Sequence, residues 1–245
     1  PAMLARVILL ISFPVELTTW VAPQVLGAAS SPSFMEGLLI TFRGYAIDTV
    51  SSASVLGQVR TELAAGHSLT NLLSQIPPTR ELALGFINGS MGETSALLIL
   101  LGGIFLLAKR IITWHIPVTM LASLALLASV FHALDPDRYA DAGFHLLAGG
   151  MLLGAFFIAT DPVTSPNSQA GKLVFGAGCG ALVYVIRTWG GYPEGVAFAI
   201  MLMNSLTPLI DHYVRPRVYG HTRDGAALAY SGKKLDTVHN PGKSK

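Results

Sequence analysis

Apolar and polar positions fall in long blocks along the chain. Six apolar segments stand out: Ala2–Phe13, Ser95–Ala108, Pro117–Leu134, Ala142–Thr160, Leu173–Ile186 and Val196–Ile210. A membrane span needs about 20 apolar residues at a rise of ~1.5 Å each. Several segments are shorter and lengthen only through flanking residues such as Gly92-Glu93-Thr94 or His212-Tyr213. Short runs broken by Gly and Pro also suit the interrupted helices of transporter-like folds. The pattern predicts an all-α polytopic membrane protein with six spans. Between the first two lies a polar stretch, Pro14–Thr94, too long for a simple connection. Helices are predicted there around Ser33–Phe42 and Val55–Ala65, and the tail from Arg215 onward is polar and rich in Gly and Lys. No internal repeat is evident.

Composition supports the membrane class. The 245 residues are 51% hydrophobic and only 12% charged, about half the charged share of a soluble domain (~25%). Mean hydropathy is +0.54. The chain starts at Pro1 and is apolar from Ala2, so it reads as the downstream part of a longer polypeptide, and no signal peptide is judged. The single Cys179 cannot form an internal disulfide or by itself supply an iron–sulfur or zinc site; within Gly-Ala-Gly-Cys-Gly-Ala it reads as a small residue that lets helices approach. A net charge of +2 without a basic, aromatic-interleaved stripe gives no support for nucleic-acid binding.

Lys and Arg placement predicts orientation. With the tail cytoplasmic and six spans threaded backwards, ten basic residues fall inside and five outside, Arg6 being left aside as ambiguous. The short loops agree: Lys109-Arg110 and Lys172 against Arg138 and Arg187. The Pro14–Thr94 stretch is then external, in the periplasm of a Gram-negative cell.

Four polar motifs could carry chemistry. Thr160-Asp161-Pro162-Val163-Thr164-Ser165-Pro166 ends an apolar helix at a proline, either as a turn between spans or as irregular backbone lining a cavity. Gly89-Ser90-Met91-Gly92-Glu93-Thr94-Ser95 precedes a span; Thr94 or Ser95 could cap it, with Glu93 complementing the helix N-terminus, or the segment could hold an anionic group. Arg187–Gly195 reads as a turn with interfacial Trp189 and Tyr192, while Asn204 and Asp211 sit in the last apolar segment. His115, His132 and His145 share no ligand spacing and read as satisfied or interfacial. Asp48-Thr49-Val50-Ser51-Ser52-Ala53-Ser54 is a small-residue loop with an acid six positions before a hydroxyl, a target that an external modifying enzyme could reach.

These motifs together resemble the D subunit of the Rnf electron-transport complex and, more distantly, the B subunit of the sodium-pumping NADH:quinone reductase. The resemblance runs through Phe13-Pro14-Val15-Glu16, Gly89–Ser95, Phe157–Pro166, Tyr192–Ala199 and Leu202-Met203-Asn204, and Pro208–Asp211 with Arg215–Gly220 favours the Rnf branch. It implies a urea-transporter-like fold of inverted halves, lacking here the upstream part of the first half. Residues 1–13 would end that half, 14–94 would form a periplasmic flavin-bearing loop region, 95–213 a second transmembrane half of about five helices and 214–245 a polar cytoplasmic tail. It implies FMN joined by a phosphoester to a hydroxyl in Asp-x-x-Ser-Gly-Ala-Thr, which maps onto Asp48, Ser51, Ser52, Ala53 and Ser54. Ser52 replaces the family's Gly, and Ser54 replaces the acceptor Thr while keeping a nucleophilic oxygen. Ser51 and Ser52 are competing acceptors. Arg43 and the Glu93–Thr94 helix start are candidate partners for the phosphate, and a non-covalent riboflavin is expected near Thr160, Asp161 and Pro162.

The function so implied is a bacterial inner-membrane subunit of a redox-driven ion pump, a ferredoxin:NAD⁺ oxidoreductase that moves Na⁺ or H⁺. Its partners would be the other subunits of the complex, the bilayer and a flavin transferase. No nicotinamide motif or cluster ligand set occurs in the chain, so those reactions fall to partner subunits. Two rivals stand beside it: a flavin-free transporter or channel of the same fold, and a purely structural membrane scaffold.

Overall fold

The computed structural model describes residues 2–14, 17, 19–21, 32–43, 51–72, 77–90, 92–192 and 194–214. Asp48 and the tail from Arg215 lie outside the described residues. The chain is helical, as the apolar blocks predict. The helices are α1 (Ala2–Ser12), α2 (Phe34–Arg43), α3 (Val55–Ala64), α4 (Leu69–Leu72), α5 (Thr79–Leu84), α6 (Ala96–Ala108), α7 (His115–Leu134), α8 (Ala142–Leu147), α9 (Met151–Leu153), α10 (Gln169–Trp189) and α11 (Val196–Tyr213). A small antiparallel ribbon joins β1 (Thr19–Val21) to β2 (Ser51–Ala53), with Trp20 opposite Ser52. The small-residue stretch read as a loop is therefore partly a strand, and it leads directly into α3.

Both helices predicted in the polar stretch are present. Ser33 and Glu36 form a reciprocal capping box at the start of α2: the Ser33 N–H donates to Glu36 Oε2 at 2.7 Å and the Glu36 N–H donates to Ser33 Oγ at 3.4 Å. Ser95 caps α6, accepting from the Leu98 N–H at 3.4 Å.

The core is built on α7 and α10. Ile116, Met120, Leu124 and Ala128 recur every fourth residue on α7, so they form one buried row; Phe175, Cys179 and Val183 form the matching row on α10, and Ala199, Ile200 and Met203 of α11 close the cluster. Gly176 and Gly180 let the two backbones meet. A Cβ on Gly176 would stand 2.8 Å from the Ile116 carbonyl oxygen, and one on Gly180 would overlap the Met120 carbonyl. Cys179 sits between these glycines, fully buried, in the packing role its neighbours predict.

Among the described residues, α7 (20 residues) and α10 (21 residues) are long and apolar enough to cross a membrane. The six expected spans are thus not all continuous. α6 has 13 residues, and it turns Leu98, Leu101, Ile104 and Phe105 outward, each more than half exposed. An apolar face so exposed requires an apolar surrounding, as a bilayer supplies. The expected span over 142–160 is broken in two. α8 ends at Leu147, Gly149 takes a left-handed φ of +71°, and the chain resumes as α9 and a π-helical turn over Gly154–Ile158. Glycine carries this turn without strain.

Candidate functional site

The break at Ala148-Gly149-Gly150 leaves backbone groups without helical partners. The carbonyls are met by Arg187 of α10, whose Nη1 donates to the His145 oxygen at 2.6 Å and whose Nη2 donates to the Ala148 oxygen at 3.0 Å. On the other side of the break the Gly150 N–H donates to Glu194 Oε1. A cation thus closes the C-terminal end of α8 and an anion the N-terminal end of α9, the arrangement that helix dipoles favour. Arg187, read from the sequence as part of an interfacial turn, is 5% exposed.

Glu93 reaches the same point from the loop before α6. A Cβ on Gly150 would lie 2.9 Å from Glu93 Oε2 and 2.8 Å from Glu194 Oε1, so two carboxylates converge on one glycine. Arg6 of α1 lies between them, its Nη2 3.8 Å from Glu93 Oε2 and 3.9 Å from Glu194 Oε2. Burial and the neighbouring Glu194 carboxylate push Glu93 up to about 7. The expectation that Glu93 merely complements the start of α6 is corrected: it is buried among charges from three other segments.

These groups line a cavity of about 230 Å³. Its walls include Arg6, Trp20, Ser54, Ser90, Glu93, Thr94, Gly149, Gly150, Tyr192 and Glu194, with apolar contributions from Met3, Leu10, Ile158 and Val196. Ser54 is the N-cap of α3, and its Oγ accepts from the Gly57 N–H at 3.3 Å. The packing of Val55, Leu56 and Val59 against Ile87, Phe144 and Ala148 sets α3 beside the break. In addition, Arg60 Nη1 donates to the Tyr192 carbonyl at 2.6 Å.

Three residues singled out from separate motifs, Ser54, Glu93 and Thr94, therefore share one cavity. Ser51 and Ala53 stand just before it in β2. Arg43 is exposed at the end of α2 and does not line the cavity. Thr160, Asp161 and Pro162 line none of the described cavities. Thr160 Oγ1 donates to the Phe156 carbonyl at 2.8 Å; Asp161 accepts from the Val163 N–H at 3.1 Å and from Thr164 Oγ1 at 3.2 Å. That turn is tied to α11, where Asp211 accepts from the Asn167 N–H and Nδ2, each at 3.1 Å. A larger cavity of about 460 Å³, on the Arg60, Tyr139 and Trp189 side, is lined by His145 and Arg187 but by none of the residues expected to hold a flavin.

The histidine reading is corrected in part. His132 Nδ1 pairs with the Tyr139 carbonyl at 2.7 Å, but His115 and His145 each keep a buried Nδ1 without a hydrogen-bond partner among the described residues. Sequence reasoning singled out the Arg187–Gly195 segment as a turn but gave Arg187 and Glu194 no place in the site, and it set Arg6 aside as ambiguous. The available signal was a charge of each sign next to an apolar run, which demands a partner when it is buried.

Comparison with known proteins agrees with the motif reading. The chain is 56% identical over 230 residues to the D subunit of the ion-translocating oxidoreductase complex of Halorhodospira halophila, covering 94% of this chain and 64% of that protein. The protein of the same name from Stutzerimonas stutzeri is 54% identical, covering 93% and 65%, and that from Cronobacter sakazakii is 45% identical, covering 90% and 65%. The chain thus spans 64–65% of the length of these curated relatives. The profile of one family matches residues 1–220, including the strand–cap–helix unit at Ser54, the Glu93 loop and the interrupted segment. On that match the chain belongs to the NQR2, RnfD, RnfE family.

Proposed function

We propose that this chain is part of the membrane subunit of an ion-translocating ferredoxin:NAD⁺ oxidoreductase of the Rnf type, with FMN joined through a phosphoester to Ser54. The subunit passes electrons between flavins, coupled to Na⁺ or H⁺ movement, in the bacterial inner membrane. Its partners are the other subunits of the complex. The observation that carries the reading is the convergence of Ser54, Glu93 and Thr94 on one cavity from two separate segments.

The residues present fit the group. Ser54 Oγ caps a ten-residue helix, so a phosphate there would meet the positive end of α3. Trp20 and Tyr192 offer aromatic surface in the same cavity, and Ser90 and Asn88 add polar groups to its lining. When bound, FMN would supply the redox chemistry that no side chain of this cavity can. The chain's own part is to hold the phosphate at the α3 cap, screen the cavity from water with Met3, Leu10 and Val196, and set its charge with Arg6, Glu93 and Glu194.

A serine hydroxyl does not attack a pyrophosphate unaided, so a separate flavin transferase supplies base and metal. Such an enzyme needs access to the β2–α3 junction, which the charge distribution assigns to the periplasmic side, with the C-terminus cytoplasmic. The interrupted segment between α8 and α9 supports an inverted-repeat, urea-transporter-like architecture, since such folds build their sites at broken helices. A non-covalent riboflavin near Thr160–Pro162 belongs to the same reading.

The test is peptide mass spectrometry of the region 46–60 from protein made with its native transferase. FMN mass on Ser54 is expected, and its loss in Ser54→Ala. FMN on Ser51 or Ser52 moves the site, and an unmodified peptide refutes the attachment.

A further inference from the structure

Glu93 differs from the other charged groups around the cavity. Arg187 spends two nitrogens on the carbonyls of the break, and Glu194 is held by the Gly150 N–H. Glu93 is 6% exposed; Ser90 hydrogen-bonds to its carboxyl, but its Oε2 has no hydrogen-bond partner among the described residues. Arg6, at 3.8 Å, is shared with Glu194 and makes no close fork with either carboxylate. A buried carboxylate oxygen without a donor is costly as an anion and relieved by a proton.

This oxygen borders the cavity that Ser54 also lines. Negative charge added to that cavity raises the cost of ionised Glu93 further, because like charges repel strongly where water is scarce. We propose that Glu93 is a redox-linked proton acceptor: when a flavin attached to Ser54 takes up an electron, Glu93 binds one proton from the aqueous side. This inference rests on the flavin reading above.

The step balances. One electron enters the flavin from a one-electron donor, a reduced redox protein in the cell or an electrode in the test. One proton leaves water, and an O–H bond forms on the Glu93 carboxyl, so the net charge of the cavity is unchanged; oxidation reverses both. The groups facing Glu93 are Arg6 from α1, Arg187 from α10, and Tyr192 and Glu194 from the loop before α11. Glu194 Oε1 accepts from the Gly150 N–H, whereas Glu93 Oε2 has no donor among the described residues, so Glu93 is the carboxylate placed to take the proton.

The test is a spectroelectrochemical titration of the assembled complex, following flavin absorbance from roughly pH 5 to 9, about two units either side of neutrality. The potential of the Ser54 flavin is expected to fall with rising pH by up to about 59 mV per tenfold change in proton activity, the one-electron conversion. In Glu93→Gln the slope flattens while the flavin stays bound. Reduced-minus-oxidised infrared spectra should show a carboxylic-acid C=O band in the native protein that Glu93→Gln lacks. Should that variant assemble poorly, Glu194→Gln keeps Glu93 and removes its anionic neighbour, moving the sloping region to lower pH. An unchanged slope and band in Glu93→Gln, or an unmoved region in Glu194→Gln, overturns the inference and leaves the flavin reading intact. A native complex without flavin at Ser54 overturns both.

Discussion

The α7–α10 pair and the 142–158 segment are both apolar in sequence, yet they solve opposite problems. The pair satisfies its backbone groups within regular helices and spends its side chains on packing. Gly176 and Gly180 remove the bulk that would hold the axes apart, and Cys179, Phe175 and Val183 fill the rest. The interrupted segment gives up helical hydrogen bonds at Ala148–Gly150 and must recover them from charged side chains on distant parts of the chain. Exposed backbone in an apolar setting is tolerated only where protein or a cavity covers it. The regular pair builds a rigid frame; the interrupted segment uses that frame, through Arg187 on α10, to satisfy its broken backbone beside the charged cavity.

Removing the clamp should have the largest effect. Arg187→Ala leaves the carbonyls of His145 and Ala148 without their donor and leaves Arg6 as the one guanidinium, among the described residues, beside the two carboxylates. Breaking a buried charged contact typically costs about 3–5 kcal/mol. The expected result is a strongly lowered thermal midpoint in detergent, with Arg187→Lys recovering only part of it, because an ammonium lacks the guanidinium fork.

Next comes pH. Glu93 is raised to about 7 in the fold, from an ordinary value of 4.5. A raised carboxyl stabilises the fold most below its unfolded value, and that contribution is lost as pH rises through about 7. The full contribution is on the order of 3 kcal/mol. Thermal unfolding near pH 5 should thus occur at a higher temperature than near pH 8, and Glu93→Gln should show a flatter dependence. An opposite slope that disappears in Glu93→Gln would contradict the burial argument.

The α7–α10 frame should respond differently. Gly180→Ala forces a methyl group against the Met120 carbonyl, and overpacking of this kind costs about 1–3 kcal/mol. Stability should fall with no change in the pH profile, which separates frame from cavity. The smallest effect is expected at Ser95→Ala, the loss of the α6 cap, at roughly 1 kcal/mol by the same melting experiment.

The frame was largely legible in the sequence. Apolar runs gave α7 and α10, the small residues around Cys179 gave their close approach, and Ser33 and Ser95 marked helix starts. α2 and α3 fell within one residue of their predicted limits. The cavity was legible only in pieces. Ser54, Glu93 and Thr94 carry local motif signals, but nothing local says that they meet. The 142–160 run gave no sign of its break beyond the pair Gly149-Gly150, because the groups that make the break possible lie elsewhere, at Arg187 and Glu194. Arg6 is a lone charge in an apolar helix, whose partners come from residues far along the chain. Such couplings depend on tertiary contact, which a periodicity cannot encode. Ser54 carried a double meaning: its small neighbours read as a loop, while its place before Val55 made it a helix cap.

The central claim is that the Ser54 cap and the charged cavity form one flavin site. A density map of the assembled native complex tests it most directly. The account predicts continuous density from Ser54 Oγ through a phosphate at the start of α3, with the ring system in the cavity beside Glu93, Tyr192 and Gly150. Density attached elsewhere, or a ring turned away from Glu93 with the cavity filled by side chains, would contradict it.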